Sequence, residues 1–97
     1  SYLRDEGFDV IEAAHANEAI CVLEHLAVDA VFSDIEMPGS LDGLALGQWV
    51  RRRKPSVGFL LTSGVEQTAA EGTEWELLSK PYEPSELTDR LRSLLGR

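Results

Sequence analysis

The chain is 97 residues long and carries a formal net charge of −8, from 17 acidic and 9 basic residues. This length predicts one domain, residues 1–97, and the acidic excess argues against direct binding of nucleic acid. Because a single cysteine cannot form a disulfide within the chain and no apolar stretch reaches the roughly 20 residues of a membrane span, the expected protein is cytoplasmic and has no membrane segment.

The first third of the chain predicts a helix end, a strand, a helix and a second strand. Residues 2–6 are typical of the last turn of a helix that Gly7 closes. Residues 8–12 contain β-forming side chains and predict a strand. Asn17 is the predicted N-cap of a helix whose apolar positions recur at helical spacing, namely Ala19, Ile20, Leu23 and Leu26 or Ala27. Residues 29–34, DAVFSD, predict a buried parallel strand that ends in Asp34.

The next stretch predicts a turn followed by a helix. Residues 35–43, IEMPGSLDG, are rich in turn-forming residues. A helical stripe follows, formed by Leu46, Trp49, Val50 and Arg53. Gly47 lies inside this helix, at a cost of about 1 kcal/mol relative to alanine. The basic run 51–54 stands before Pro55 and fits the end of the helix, where cations complement the helix dipole.

A third strand is predicted over residues 57–61, VGFLL, which is a short apolar run. This strand delivers Thr62 at its carboxyl end. A weak helix is predicted over residues 66–71.

The last part of the chain predicts an edge strand and a closing helix. Residues 73–78, TEWELL, alternate charged and apolar side chains, so that Trp75 and Leu77 share one face of the strand. Lys80 follows at the carboxyl end. Pro84 suits the first position of a helix whose core stripe contains Leu87, Leu91, Leu94 and Leu95.

Short apolar runs that alternate with helical patterns predict an α/β fold with a parallel sheet. The carboxyl ends of parallel strands lie at the same edge, so Asp34, Thr62 and Lys80 are expected to meet there. A carboxylate can attack a phosphoryl donor, while a hydroxyl, an ammonium and a divalent magnesium ion can each bind a phosphoryl oxygen. The three residues therefore predict phosphoryl chemistry.

The residues that carry this chemistry resemble a known family. The segments VDAVFSDIEMPGSLDGLAL, VGFLLTSG and LLSKPYEPSEL are similar to the receiver domain of two-component response regulators, and the similarity covers essentially the whole chain. The resemblance implies a CheY-like, flavodoxin-like fold with three layers and a parallel sheet in the order 2-1-3-4-5. It also implies a bacterial-type signalling protein that is phosphorylated in the presence of Mg²⁺.

The resemblance implies a role for each site residue. Asp34 resembles the phosphoacceptor, Thr62 the hydroxyl that moves toward the phosphate, and Lys80 the cation that binds a phosphoryl oxygen. The Lys80–Pro81 peptide bond resembles the cis bond of the family. Asp34 and the main-chain carbonyl of Glu36 resemble ligands of the magnesium ion.

The sequence departs from the family pattern in two places. Receivers open with a strand that ends in an acidic pair, and this chain begins within what resembles the first helix. Asp5 and Glu6 precede Gly7 in a helix-end setting, so they are not that pair. The resemblance therefore implies an N-terminally incomplete receiver without the first strand of the order 2-1-3-4-5. The position three before Lys80, usually aromatic in the family, is Leu77.

The expected function is that of a receiver in a phosphorelay. The expected phosphoryl donor is a sensor histidine kinase or a phosphotransfer protein, and the expected output is altered binding of a downstream protein or of a second copy of the chain. No nucleic acid and no membrane are expected as direct partners. Because the reaction modifies the domain itself, no enzyme activity beyond self-phosphorylation and autodephosphorylation is expected.

Two alternatives remain open. The first is a pseudo-receiver, in which the same fold binds partners without phosphorylation. The second is a phosphohydrolase similar to the haloacid dehalogenase superfamily, which needs a second acidic residue two positions after the nucleophile, where Glu36 lies. That superfamily also needs a late acidic motif on another strand, and here only a predicted helix with Glu86 and Asp89 follows.

Overall fold

The computed structural model describes residues 2–64 and 75–96. These residues form four helices and three strands in the order α1 (Tyr2–Asp5), α2 (Ala16–His25), β1 (Ala30–Asp34), α3 (Gly43–Arg53), β2 (Gly58–Ser63), β3 (Glu76–Ser79) and α4 (Pro84–Leu94). The helix predicted over residues 66–71 lies outside the described residues. No described helix is long and apolar enough to cross a membrane.

The three strands form one parallel sheet in the order β1-β2-β3. Asp34 pairs in register with Thr62. Backbone hydrogen bonds continue past the strand ends, from Ile35 N–H to the Thr62 carbonyl (2.9 Å) and from Lys80 N–H to the Ser63 carbonyl (3.0 Å). The sheet therefore matches the last three strands of the expected order 2-1-3-4-5, and its carboxyl ends lie at one edge.

Side chains of the sheet alternate between its two faces and build a hydrophobic cluster on each face. Phe59 and Leu61 of β2 pack in one cluster with side chains of α2 and α3. Leu60 packs in the other cluster with side chains of α4. Leu60 and Leu61 are neighbours in the sequence, face opposite sides and are both 0% exposed. Helices cover both faces of the sheet, which confirms the predicted three-layer α/β architecture.

The segment between α1 and α2 differs from the prediction. Helix α1 closes as expected, with Gly7 in the left-handed region (φ 93°). Residues 8–12 do not form the predicted strand, since none of them pairs with a strand of the described sheet. Phe8 packs into the cluster on the α4 side, and the Arg4 guanidinium donates to the Val10 carbonyl (3.2 Å). A strand is completed by hydrogen bonds to a neighbouring strand, so β-forming residues alone do not make one.

The N-cap of α2 is His15 and not Asn17, which is the second residue of the helix. His15 Nδ1 accepts a hydrogen bond from the Glu18 backbone N–H at 3.2 Å. The Glu18 carboxylate in turn accepts one from the Ala14 backbone N–H at 3.1 Å. A neutral imidazole has one acceptor nitrogen, so histidine can cap a helix in the same way as the shorter polar residues.

Candidate functional site

The carboxyl edge of the sheet brings together the three side chains that the sequence predicts. Asp34 is the last residue of β1, Thr62 is its partner in register on β2, and Lys80 directly follows β3. Parallel strands end at one edge, and for this reason Asp34 and Lys80 meet across 46 positions of sequence. The Lys80–Pro81 peptide bond is cis, as the resemblance implies.

Both carboxylate oxygens of Asp34 have partners. Oδ2 forms an ion pair with Lys80 Nζ, and Oδ1 accepts a hydrogen bond from the backbone N–H of Glu36 at 3.2 Å. The side chains of Lys80 and Asp34 are 41% and 32% exposed, so solvent reaches the carboxylate. An accessible carboxylate that is oriented by a cation and by a backbone N–H is suited to attack on an incoming phosphoryl group.

The surroundings of Lys80 favour its charged form. The hydrogen bond to Asp34 raises the pKa of the Lys80 ammonium above its ordinary value of 10.5. Desolvation lowers this pKa, and electrostatic interactions with Asp34, Tyr82 and Glu36 raise it further, for a net increase. Lys80 is therefore protonated at neutral pH and can neutralise negative charge on a phosphoryl oxygen.

Thr62 lies beside Asp34, but its hydroxyl is bound to the neighbouring strand. The side chain is buried, and Oγ1 donates a hydrogen bond to the Leu78 carbonyl of β3 at 2.6 Å. A rotation about the first side-chain torsion is required before this hydroxyl can bind a group attached to Asp34. In this structure the Thr62 hydroxyl therefore links β2 to β3.

Gly43 and Ser33 fix the backbone around Asp34. The Gly43 N–H donates to the Ile35 carbonyl at 2.8 Å, and a Cβ atom on Gly43 would lie 2.1 Å from the Asp34 carbonyl oxygen. The buried Ser33 hydroxyl is within hydrogen-bond distance of the Asp34 carbonyl (2.9 Å) and of Met37 Sδ (3.3 Å). Sequence reasoning assigned Gly43 only to a turn and missed Ser33. A glycine at the start of a predicted helix was the available signal.

Two aromatic residues near the site were also missed. Tyr82, two residues after Lys80, packs edge to face against Phe32 of β1, with ring centroids 6.0 Å apart and an interplanar angle of 79°. Tyr82 lies between β3 and α4, outside any periodic pattern, so no sequence pattern linked it to the site. Leu77, at the position three before Lys80, packs against the cluster on the α2 and α3 side.

The donor atoms at the site are oxygens, the type of ligand that magnesium prefers. The Asp34 carboxylate and the Glu36 carbonyl supply hard oxygen atoms, and Mg²⁺ is commonly bound by one or two carboxylates together with waters and substrate phosphates. The described residues contain no group of three or more His, Cys, Asp or Glu side chains that could hold a metal ion. The carboxylate of Glu6, which its sequence setting excludes from the acidic pair, forms an ion pair with Arg92 of α4 at 3.5 Å. Two protein oxygens therefore fit an ion that completes its shell with water and phosphate oxygens.

Known proteins share the sequence pattern over the whole of this chain. Residues 1–92 match the family described as the response regulator receiver domain. The chain is 31% identical over 102 residues to the aerobic respiration control protein ArcA of Escherichia coli (strain K12), covering 100% of this chain and 42% of that protein. It is 37% identical over 107 residues to the transcriptional regulatory protein AruR of Pseudomonas aeruginosa, covering 100% of this chain and 43% of that protein. The chain spans less than half the length of these relatives.

The three-dimensional structure leads to the same family. The crystal structure of the receiver domain of NtrX from Brucella abortus is similar with a TM-score of 0.87 and 28% identity, over 98% of this chain and 84% of that chain. This similarity confirms the flavodoxin-like fold class. Because the family match covers nearly all of the sequence and the fold agrees, the chain belongs to the response regulator receiver domain family of two-component signalling.

Proposed function

We propose that Asp34 accepts a phosphoryl group from a phosphohistidine of a sensor histidine kinase or a phosphotransfer protein, and that the modified domain binds a downstream protein differently. The observation that carries the proposal is the ion pair between the accessible Asp34 carboxylate and Lys80, beside Thr62. These groups are the nucleophile, the cation and the hydroxyl that phosphoryl transfer requires. The proposed location is the cytoplasm, which the family resemblance implies.

In the proposed transfer, a carboxylate oxygen of Asp34 attacks phosphorus, and the bond between phosphorus and the imidazole nitrogen of the donor breaks. The imidazole takes up a proton as it leaves, and Asp34 becomes a mixed anhydride. Once the carboxylate has become part of the anhydride, Lys80 binds a phosphoryl oxygen instead. Because this reaction modifies the domain itself, we propose no enzyme activity on other substrates.

Receiver domains generally use Mg²⁺ for phosphorylation, and in this chain Asp34 and the Glu36 carbonyl are the residues that would hold it. When bound, the ion supplies positive charge that neutralises phosphoryl oxygens during the transfer. The contribution of the chain itself is the nucleophile, its orientation by the Glu36 N–H, and the positive charge of Lys80.

Transmission of the modified state starts from Thr62 in this proposal. Its hydroxyl now donates to the Leu78 carbonyl, and a rotation toward the phosphoryl group would remove that hydrogen bond from β3. The usual aromatic position is Leu77, so a rotating aromatic ring at that position is not part of the proposed readout. The surface presented to a downstream protein or to a second copy would change around β3.

The experiment that tests the proposal is intact mass spectrometry after incubation with acetyl phosphate and Mg²⁺. We expect one phosphoryl adduct on the wild-type protein and none on Asp34→Asn. Omission of Mg²⁺ should remove the adduct as well, because the charge on the phosphoryl oxygens is then only partly neutralised. Glu83→Gln is a control, since Glu83 is an exposed residue at the N-cap of α4, and it should be modified as the wild type is.

The other outcomes decide between the alternatives. A folded wild-type protein that includes the first strand with its acidic pair and still gains no adduct would support the pseudo-receiver, whereas no adduct on the chain from Ser1 would show that the acidic pair is needed. An adduct that persists in Asp34→Asn would assign the acceptor to a different residue. Multiple turnovers of a small phosphate ester, in the absence of a stable adduct, would support the phosphohydrolase alternative.

A further inference from the structure

Two contacts run side by side between β1 and the segment that follows β3. Phe32 and Asp34 are two residues apart on β1 and therefore lie on the same face of the strand. Lys80 and Tyr82 are also two residues apart. Lys80 contacts Asp34 through the ion pair, and the Tyr82 ring contacts the Phe32 ring at 6.0 Å. The second contact anchors the lysine segment to the strand that carries the nucleophile.

The ion pair needs such an anchor because both of its side chains are partly exposed. An exposed pair gains little energy, and fixing a lysine side chain costs conformational entropy. On one side, the Lys80 backbone N–H is held by the Ser63 carbonyl at 3.0 Å. On the other side, Tyr82 is half-buried in the hydrophobic cluster that contains Leu60 and Leu87.

We propose that Tyr82 is a positioning residue that holds the Lys80 ammonium over Asp34 through the contact of its ring with Phe32. The role belongs to the ring and not to the hydroxyl, since the edge-to-face contact is made between the two rings. This inference rests on the proposed function, because the consequence of a displaced Lys80 is slower phosphoryl transfer to Asp34.

The first test observes Lys80 directly and needs no phosphorylation. The chain has two lysines, Lys54 and Lys80, so each gives a separate side-chain signal in NMR spectra of lysine-labelled protein. A lysine that is held in place shows two distinct Hε resonances, whereas a freely rotating one shows a single average. We expect distinct Lys80 resonances in the wild type and in Tyr82→Phe, and one averaged signal in Tyr82→Ala. Lys54 should be unchanged in all three proteins.

Matched variants separate the ring contact from a general loss of folding. Tyr82→Leu keeps apolar bulk without an aromatic ring and should average the Lys80 signal, as should Phe32→Leu on the other side of the contact. Tyr2→Ala removes the other tyrosine, which is exposed, and should change nothing. Distinct Lys80 resonances in both Tyr82→Leu and Tyr82→Ala would overturn the proposal.

The second test measures the rate of adduct formation with acetyl phosphate. We expect Tyr82→Ala to react about 10- to 100-fold more slowly than the wild type, as is usual when a charged group is displaced from the reacting atoms, and Tyr82→Phe to restore most of the rate. In a Lys80→Met background, Tyr82→Ala should cause no further slowing. Equal slowing in both backgrounds would show that the ring acts on something other than Lys80 and would overturn the proposal. If the wild type forms no adduct while the lysine spectra behave as expected, the proposed function fails and the positioning of Lys80 by Tyr82 stands.

Discussion

The Asp34–Lys80 ion pair makes the stability of the domain depend on pH in the alkaline range. The pKa of Lys80 is raised above 10.5, chiefly by its hydrogen bond to Asp34, and electrostatic interactions with Tyr82 and Glu36 add to the increase. The pair therefore stabilises the folded state below the ordinary pKa, and this stabilisation is lost as the pH rises through the higher pKa of the folded state. We predict that Lys80→Met is less stable than the wild type at about pH 8 by less than about 1 kcal/mol, and that the difference shrinks above pH 10.5.

Urea unfolding of the two proteins over this pH range measures the difference in unfolding free energy. Lys54→Met serves as the control for the loss of one lysine, and its difference from the wild type should not shrink in the same way. A Lys80→Met deficit that stays constant or grows in alkali would contradict the prediction.

Gly43 shows how closely the start of α3 approaches the backbone of the nucleophile. A Cβ atom there would lie 2.1 Å from the Asp34 carbonyl oxygen, and the Gly43 N–H already donates to the Ile35 carbonyl at 2.8 Å. We predict that Gly43→Ala lowers the unfolding free energy by about 2–4 kcal/mol and slows phosphorylation, because the Asp34–Ile35 backbone must shift. Gly64→Ala is the matched control, since its Cβ would meet Lys80 Cδ at an ordinary 3.4 Å. Equal stabilities for the two variants would contradict the prediction.

The side chains of the site could be predicted to different degrees. Asp34, Thr62 and Lys80 could be placed together from sequence, because each follows an apolar run and parallel strands end at one edge. The hydrogen bond from Thr62 to β3 could not be predicted, since it depends on a rotamer that local sequence does not specify. Tyr82 was missed because its partner is 50 positions away and Tyr82 itself lies between β3 and α4, outside any periodic pattern.

On the scale of an element, α3 contains a glycine that stabilises the fold although it weakens the helix. An interior glycine usually costs a helix about 1 kcal/mol relative to alanine. A Cβ atom on Gly47 would lie 2.8 Å from the Phe59 ring and 3.0 Å from the Trp75 ring, and these two rings pack against each other at 6.1 Å. We predict that Gly47→Ala lowers the unfolding free energy by about 1–3 kcal/mol, because overpacking of the core outweighs the gain in helix propensity.

Thermal unfolding of Gly47→Ala beside Gln48→Ala checks this prediction. Gln48 is the next residue of the same helix and is exposed, so its replacement should leave the melting temperature unchanged or slightly higher. If both variants melt above the wild type, helix propensity and not packing governs this position.

The elements with internal periodicity could be predicted, and those that depend on a distant partner could not. The apolar spacing of α3 and α4, and the apolar runs of β1 and β2, arise from each segment alone. Residues 8–12 have strand-forming side chains, but a strand also needs a neighbour in the sheet, which local sequence does not specify. The cap of α2 was placed at Asn17 because asparagine is a common cap, whereas His15 has an acceptor nitrogen in reach of Glu18 N–H.

On the scale of the whole molecule, β2 joins the two hydrophobic clusters through adjacent side chains. Leu60 faces the α4 side, Leu61 faces the α2 and α3 side, and both are 0% exposed. We predict that Leu60→Ala and Leu61→Ala each lower the unfolding free energy by about 2–5 kcal/mol, since each leaves a cavity in a closed cluster. We also predict that either loss destabilises the entire domain, because one strand carries both side chains.

Two optical signals test whether the domain unfolds as one unit. The two tryptophans, Trp49 and Trp75, pack against the cluster on the α2 and α3 side, so their fluorescence reports that side, whereas far-UV circular dichroism reports all helices. The two transitions should coincide in both variants if the sheet couples its faces. An early loss of helix in Leu60→Ala with unchanged fluorescence would mean that the α4 side unfolds separately.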